Sequence, residues 1–520
     1  MLVYGLGLLP LIRILKEPAK WKQNFYADDG ACCGPLLMLK EWLGKLMSLG
    51  PKFGYFPEPD KSFLVVHPDY IDTAREIFKD LKLNIVSGKR FLGGFIGSSD
   101  DTEQWLNDQI QKWIQSVEKL SKVARTQPQA AFVAMTKSLQ MEWTFIQRVM
   151  KNSEVNFIPL KRAIIDNFLP DLFGSEVTED ESDLFCRPSR HGGIGIHDPV
   201  KAAHIHYSRS KEATRCLSES IYDGSRLDLN MHDHTIRTAL KKKEEDEKQL
   251  SEETLVLLKS FSKDAKRSII RKIENKCSGW LSIAPTDRNH FDMSPDEFRD
   301  SLALRYHRLP VNLPSQCDID GEVFSVNHAL NCPRGGLVYA RHNELRDLNC
   351  SLLELAGLKQ IISEPIIQEE TAQTNMLRAD WSVRSFWEPQ KQALFDGCIL
   401  NADSESLKNS SLETIFSQRK NKKIQTYSKA AIARRASFNP IIATCDAVFD
   451  KEAEIYFKKL AVHLSKKWES NFSHTIGYIR ARMQICILRS VSLSLQGSRC
   501  KWRGAGVEDG AALPKFNFDD

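Results

Sequence analysis

The sequence lacks a hydrophobic run of bilayer length, a dense cysteine framework, an evident internal repeat and a dominant sign of charge. Each absence excludes something. The most apolar stretch, "MLVYGLGLLPLIRILK", is too short to cross a membrane, and its first positive charge, Arg13, follows the run with no small-residue cleavage site after it. It is expected to form a buried helix broken near Pro10, with no membrane role. The 12 cysteines are scattered over 520 residues, which excludes a disulfide-stapled secreted domain and points to free thiols or metal ligands in a reducing, intracellular compartment. A net charge of +5 is too small to attract polyanions by itself, so any nucleic-acid contact must come from local clusters. With 42% hydrophobic and 27% charged residues the chain is a folded one of two to four domains.

Against that background "FYADDGAC" stands out. Asp28 and Asp29 are adjacent like charges between a strand candidate, Lys22 to Ala27, and a Gly-led return. Adjacent aspartates are poor strand formers, so a solvated turn is one reading and a divalent-metal site the other. Downstream, Leu36, Leu39, Trp42, Leu43, Leu46 and Met47 keep a helical spacing after Pro35. "KFGYFPEPDKSFLVV" reads as a strand, a turn and a second strand ending at Val66, residues 69–80 as a helix, and "RFLGGFIGSS" as a strand whose Gly pair permits a close backbone approach. From Asp101 to about Ser220 the pattern is helical, with Leu106, Ile110, Trp113 and Val117 on one core stripe. "KKKEEDEK" reads as a solvated helix face or linker.

"FYADDGA", the helix after it, "DKSFLVV" and "FLGGFIGS" follow the order of palm motifs and resemble those of non-LTR retrotransposon reverse transcriptases. The resemblance implies that Asp28 and Asp29 are metal-binding aspartates holding Mg²⁺ for nucleotidyl transfer, where hard carboxylate oxygens suit the ion. It implies that Lys61 faces an incoming triphosphate and that Leu92 and Gly93 belong to a primer-grip strand. The family's palm uses a further aspartate on an earlier strand, preceded by fingers, yet only 27 residues come before Asp28. The polymerase is therefore expected to be inactive in this chain.

Cys317, Asp320, His328 and Cys332 in "CDIDGEVFSVNHALNC" resemble a Cys-Cys-His-Cys zinc knuckle whose second cysteine is replaced by Asp320. Zinc accepts carboxylate oxygen, although the resulting site is softer in only part of its ligands; the spacing alone is equally compatible with ordinary buried residues. "RHN", with Arg341 and His342, follows, in the order seen in retrotransposons that carry a restriction-like endonuclease. The resemblance implies a Mg²⁺- or Mn²⁺-dependent site of Asp380 and Asp396 on neighbouring strands, with their carboxylates on one face. Lys423 would lie on the following helix, kept protonated by the pair, and Glu364 would approach from a preceding helix end. Cys398 stands where such folds often carry a basic residue, and two unrelated acids in a mixed sheet is the competing reading. Beyond it lie two amphipathic helices whose Lys458, Lys459, Lys466, Lys467, Trp468, Arg480, Arg482 and Arg489 suit phosphate contact and stacking, or a solvated face.

The expected architecture is α+β and multi-domain. A partial palm occupies 1–100, a helical thumb and connector 101–220, and a charged helical linker 221–305. A degenerate knuckle spans 306–345, a mixed α/β restriction-like endonuclease domain 346–505 and a disordered tail 506–520. The function implied is that of a truncated reverse transcriptase/endonuclease acting on an RNA template and a DNA target in the nucleus. A non-catalytic nucleic-acid-binding remnant is the alternative.

Overall fold

A computed structural model describes residues 2–370 and 375–500; the tail expected at 506–520 lies outside them. The fold is mixed α and β, mostly helical with small sheets. It divides into two compact units, one of residues 1–123, 134–171 and 177–257, the other of 124–133, 172–176 and 258–520. No helix among the described residues is long and apolar enough to cross a membrane.

The first unit opens with α1 (Leu2–Ile14), which runs through Pro10 where a break was expected. The carbonyl that Pro10 leaves without its helical donor belongs to Leu6, on the exposed side of the helix. Only one face is buried: Leu8 and Leu11 pack with Trp21, Trp42, Leu43 and Leu46, while Val3, Tyr4 and Leu6 stay exposed. β1 (Lys22–Tyr26) and β2 (Asp29–Cys33) form a hairpin with Tyr26 opposite Asp29, followed by α2 (Leu36–Leu49), which starts just after Pro35. β3 (Phe63–Val65) and β4 (Asn84–Val86) pair in parallel around α3 (Ile71–Ile77). β5 (Gly88–Phe91) and β6 (Gly94–Gly97) form a second hairpin. "RFLGGFIGSS" is thus not one strand but two arms and a turn, because Leu92 and Gly93 both take positive φ, 45° and 83°, as a two-residue hairpin loop requires. The stripe on α4 (Ser99–Thr126) is buried as its spacing predicts. α5 (Gln140–Val149), α6 (Pro199–Asp223) and α7 (Leu229–Leu257) complete this unit, with "KKKEEDEK" largely exposed on α7.

The second unit begins with α8 (Lys263–Glu274), α9 (Pro295–Arg305), α10 (Val326–Asn331) and α11 (Leu337–Leu355). β7 (Ile362–Ser363), β8 (Ile366–Gln368), β9 (Leu377–Arg378), β10 (Trp381–Arg384) and β11 (Gln392–Leu400) follow. α12 (Leu412–Ala433) then crosses over to β12 (Ser437–Thr444), and α13 (Lys451–Trp468) and α14 (Phe472–Gln496) close the unit. A four-stranded sheet has the order β12-β11-β10-β7. β10 is antiparallel to both neighbours and β11 is parallel to β12, as a helical crossover requires. Strand alternation sets the two faces. Ala393 and Phe395 pack with Leu345, Leu352, Trp381, Tyr456 and Ile479, whereas Leu394 packs with Ala430 and Ala431 of α12. The sheet is therefore covered on both sides.

α8 is tied to this sheet by charge. Arg271 donates to Asp403 and Asp446, each at 2.6 Å, in the loops that follow β11 and β12. The two carboxylates hold the guanidinium charged despite its burial.

Candidate metal and nucleic-acid sites

In the first hairpin the loop is two residues, Ala27 and Asp28, with positive φ (55°) at Ala27. Asp28 and Asp29 are both exposed at the tip. Beneath them Phe25 packs edge-on to Tyr55 at 6.0 Å, and the Tyr55 hydroxyl donates to the Asp28 carbonyl at 2.9 Å. Among the described residues no third His, Cys, Asp or Glu joins the pair closely enough to share one ion. Lys61 is exposed and pairs with Glu58. At the other hairpin the space that Gly93 leaves is filled: a Cβ there would meet the Phe145 ring of α5 at 2.7 Å. That glycine serves a protein contact, not the nucleic-acid approach read from the sequence.

The knuckle residues do converge. Cys317, Asp320, His328 and Cys332 each offer a ligand atom within 4.8 Å of the others. The local sequence explains why. Gly321, at φ 69°, turns the chain so that its N–H and that of Glu322 close on Cys317 O and Asp320 Oδ1. Ser325 then caps α10 by accepting from His328 N at 3.1 Å, which places His328 in the first turn and Cys332 at its end. Both cysteines are buried, at 4%. Hydrogen bonding from the Cys317 thiol and the Glu322 amide holds the Asp320 carboxyl below its ordinary range. His328 Nδ1 lies 3.4 Å from Glu322, while its buried Nε2 has no hydrogen-bond partner and stands 3.8 Å from Asp320 Oδ2. Tetrahedral zinc with metal–ligand bonds of about 2.0–2.3 Å separates its ligands by roughly 3.3–3.8 Å. The orphaned nitrogen and its 3.8 Å separation from Asp320 fit zinc.

The second cluster lies around β10 and β11. Asp380 immediately precedes β10, and its N–H donates to Phe395 O at 3.0 Å. Its Oδ2 accepts from the Gly397 amide at 2.5 Å, next in the chain to Asp396, and its Oδ1 lies 3.0 Å from His342 Nε2. Asp396, 4% exposed, accepts from Lys423 Nζ of α12. Burial pushes the Lys423 ammonium below its ordinary value, with the Asp380 carboxylate opposing. Burial also raises Tyr427, one turn further along α12, and Asp380 reinforces the rise.

Glu364 does not come from a helix end. It follows edge strand β7, its N–H donates to Asp380 O at 2.8 Å, and it stands opposite Asp380. Its φ of 51° turns the side chain away, onto Arg346 and toward Arg378 at 3.8 Å. Sequence reasoning missed Arg346, although it sits four residues after His342 on one face of α11; that spacing was the available signal. Arg341 is 2% exposed and donates to Leu330 O, so it presents no surface to a nucleic acid. Lys466 and Lys467 are exposed at the end of α13. Arg480 pairs with Glu454 at 2.5 Å. Arg482 donates to the Tyr478 hydroxyl at 3.1 Å and lines a cleft of about 470 Å³ between α11 and α14.

No protein-family model matches the chain, and comparison with curated proteins finds no match.

Proposed function

We propose that the chain derives from a non-LTR retrotransposon polyprotein and that its second unit carries a metal-dependent DNA-nicking centre at Asp380, Asp396 and Lys423. The observation that supports this most is that Asp380 stands opposite Asp396 where β10 meets β11, with Lys423 of α12 on the Asp396 carboxylate. Asp380 and Asp396 supply hard, acceptor-only oxygens in a partly buried setting, a donor set that fits Mg²⁺ or Mn²⁺. When bound, such an ion polarises a phosphodiester and activates the attacking water. The chain's own residues prepare the site. His342 and the Gly397 amide fix the Asp380 carboxylate, and Lys423 holds Asp396. In this reading the Asp28–Asp29 hairpin is a palm remnant without polymerase activity and the knuckle holds zinc. The partners are the element's RNA and a nuclear DNA target.

A second reading, nucleic-acid binding without cleavage, is favoured by Glu364, whose side chain is engaged by arginines instead of joining the aspartates. Incubating the purified chain with supercoiled plasmid and Mn²⁺ separates the two. Nicking that chelation and Asp380→Ala both abolish supports the first reading, and DNA binding with no nicking supports the second.

A further inference from the structure

β11 presents Asp396 and Cys398 on the side facing α12, two residues apart. Cys398 and Phe416 both pack against the cluster of Leu400, Ala402, Ile415 and Ile442. A thiol there can neither neutralise nor grip a phosphate, so the strand offers no cation next to its carboxylate. The cation comes from the helix instead. The sheet-facing stripe of α12 runs through Leu412, Ile415, Phe416, Lys423, Tyr427 and Ala430. Arg419 falls on that stripe, three residues after Phe416 and four before Lys423. Its neighbours on the helix set its position: Phe416 packs on the same cluster as Cys398, and Lys423 pairs with Asp396. Arg419 is half-buried, and among the described residues no carboxylate pairs with it.

We propose that Arg419 is a phosphate-binding residue of this centre, its guanidinium taking the non-bridging oxygens of the DNA phosphodiester where β11 lacks a base at Cys398. The proposal rests on the nicking reading for its substrate. Its chemistry is that of a planar fork matched to two phosphate oxygens. Because the cation is delivered from α12 and not from the strand, moving it back should work: a lysine at residue 398 would reach the same space.

The test uses the full chain and a DNA duplex of about two turns, with Ca²⁺ in place of Mn²⁺ for the binding arm. Arg419→Ala is expected to weaken duplex binding about tenfold at moderate salt and to lower the slope of log K against log salt by about one phosphate contact. Arg419→Lys should retain most of the slope. Mn²⁺-dependent nicking should fall with Arg419→Ala and recover in Arg419→Ala/Cys398→Lys, a rescue that a merely structural role would not give. An unchanged slope in Arg419→Ala, while the wild type nicks, overturns the assignment of Arg419 and leaves the nicking reading intact. A wild type that binds DNA through Arg419 but never nicks overturns the nicking reading and supports the phosphate contact. A chain that does neither overturns both.

Discussion

The Asp396–Lys423 pair gives a measurable account of what holds the candidate centre. The Asp396 side chain is 6% exposed and that of Lys423 22%, so Lys423→Met leaves a carboxylate in a place water barely reaches. Breaking a buried pair from one side costs about 3–5 kcal/mol, and the partial exposure at the lysine end puts this case near 3. With a urea dependence of about 2–3 kcal/mol per molar for a unit of this size, the unfolding midpoint should fall by about 1 M. The double variant Asp396→Asn/Lys423→Met removes both charges and should lie within about 1 kcal/mol of the wild type, because neither partner is stranded. Mn²⁺ at a hundredfold excess over its dissociation constant should return about 2.7 kcal/mol to Lys423→Met by mass action. The assay is urea unfolding followed by tryptophan fluorescence, to which Trp381, stacked on Phe395 at 5.5 Å, reports from the same sheet. Equal losses in the single and double variants would refute the reasoning, since the two charges would then be uncoupled.

Three further outcomes are expected. Asp320→Cys should raise zinc affinity by about tenfold or more, as a thiolate is the softer ligand; a metal titration in which neither form binds zinc removes the knuckle. Asp300 is buried and accepts from Ser492 and Gln496, and burial pushes its carboxyl up to about 6. A raised folded value gives stability that is full below the unfolded value and lost as pH rises through about 6, so Asp300→Asn should flatten the stability profile between pH 4 and 6. A pH profile in which Asp300→Asn and wild type run parallel would count against it. Primer extension on a primed RNA template should be undetectable, and robust incorporation abolished by Asp29→Asn would show the palm to be complete.

The local periodicities were legible. The α4 stripe and the hydrophobic face of α2 follow from helical spacing, and the knuckle ligands from their separation along a short turn and helix. What the sequence hid were decisions made across long separations. Arg341 reads as a surface cation until α11 is seen to turn it inward to Leu330 O. Gly93 reads as a gap for a ligand until Phe145, on a helix some fifty residues later, fills it. Glu364 lies in register with Asp380, yet a single left-handed backbone angle sends its carboxylate to Arg346. No one-dimensional pattern encodes such choices, because each depends on which partner arrives from elsewhere in the chain.

The pairing of α8 with the ends of β11 and β12 bears on how this protein should be cut for expression. A fragment begun at the knuckle would omit Arg271 and Lys272 and strand Asp446, 10% exposed at its side chain, beside Asp403. Those carboxylates are held far below and below their ordinary range, against burial, chiefly by the arginine. Without it they would have to take up protons or draw in water, loosening both loops at the C-terminal ends of the parallel strands. A stable sheet fragment should therefore start upstream of Ser262, which caps α8 by accepting from Ala265 N. The cloning boundary is set by a guanidinium more than a hundred residues from the strands it serves.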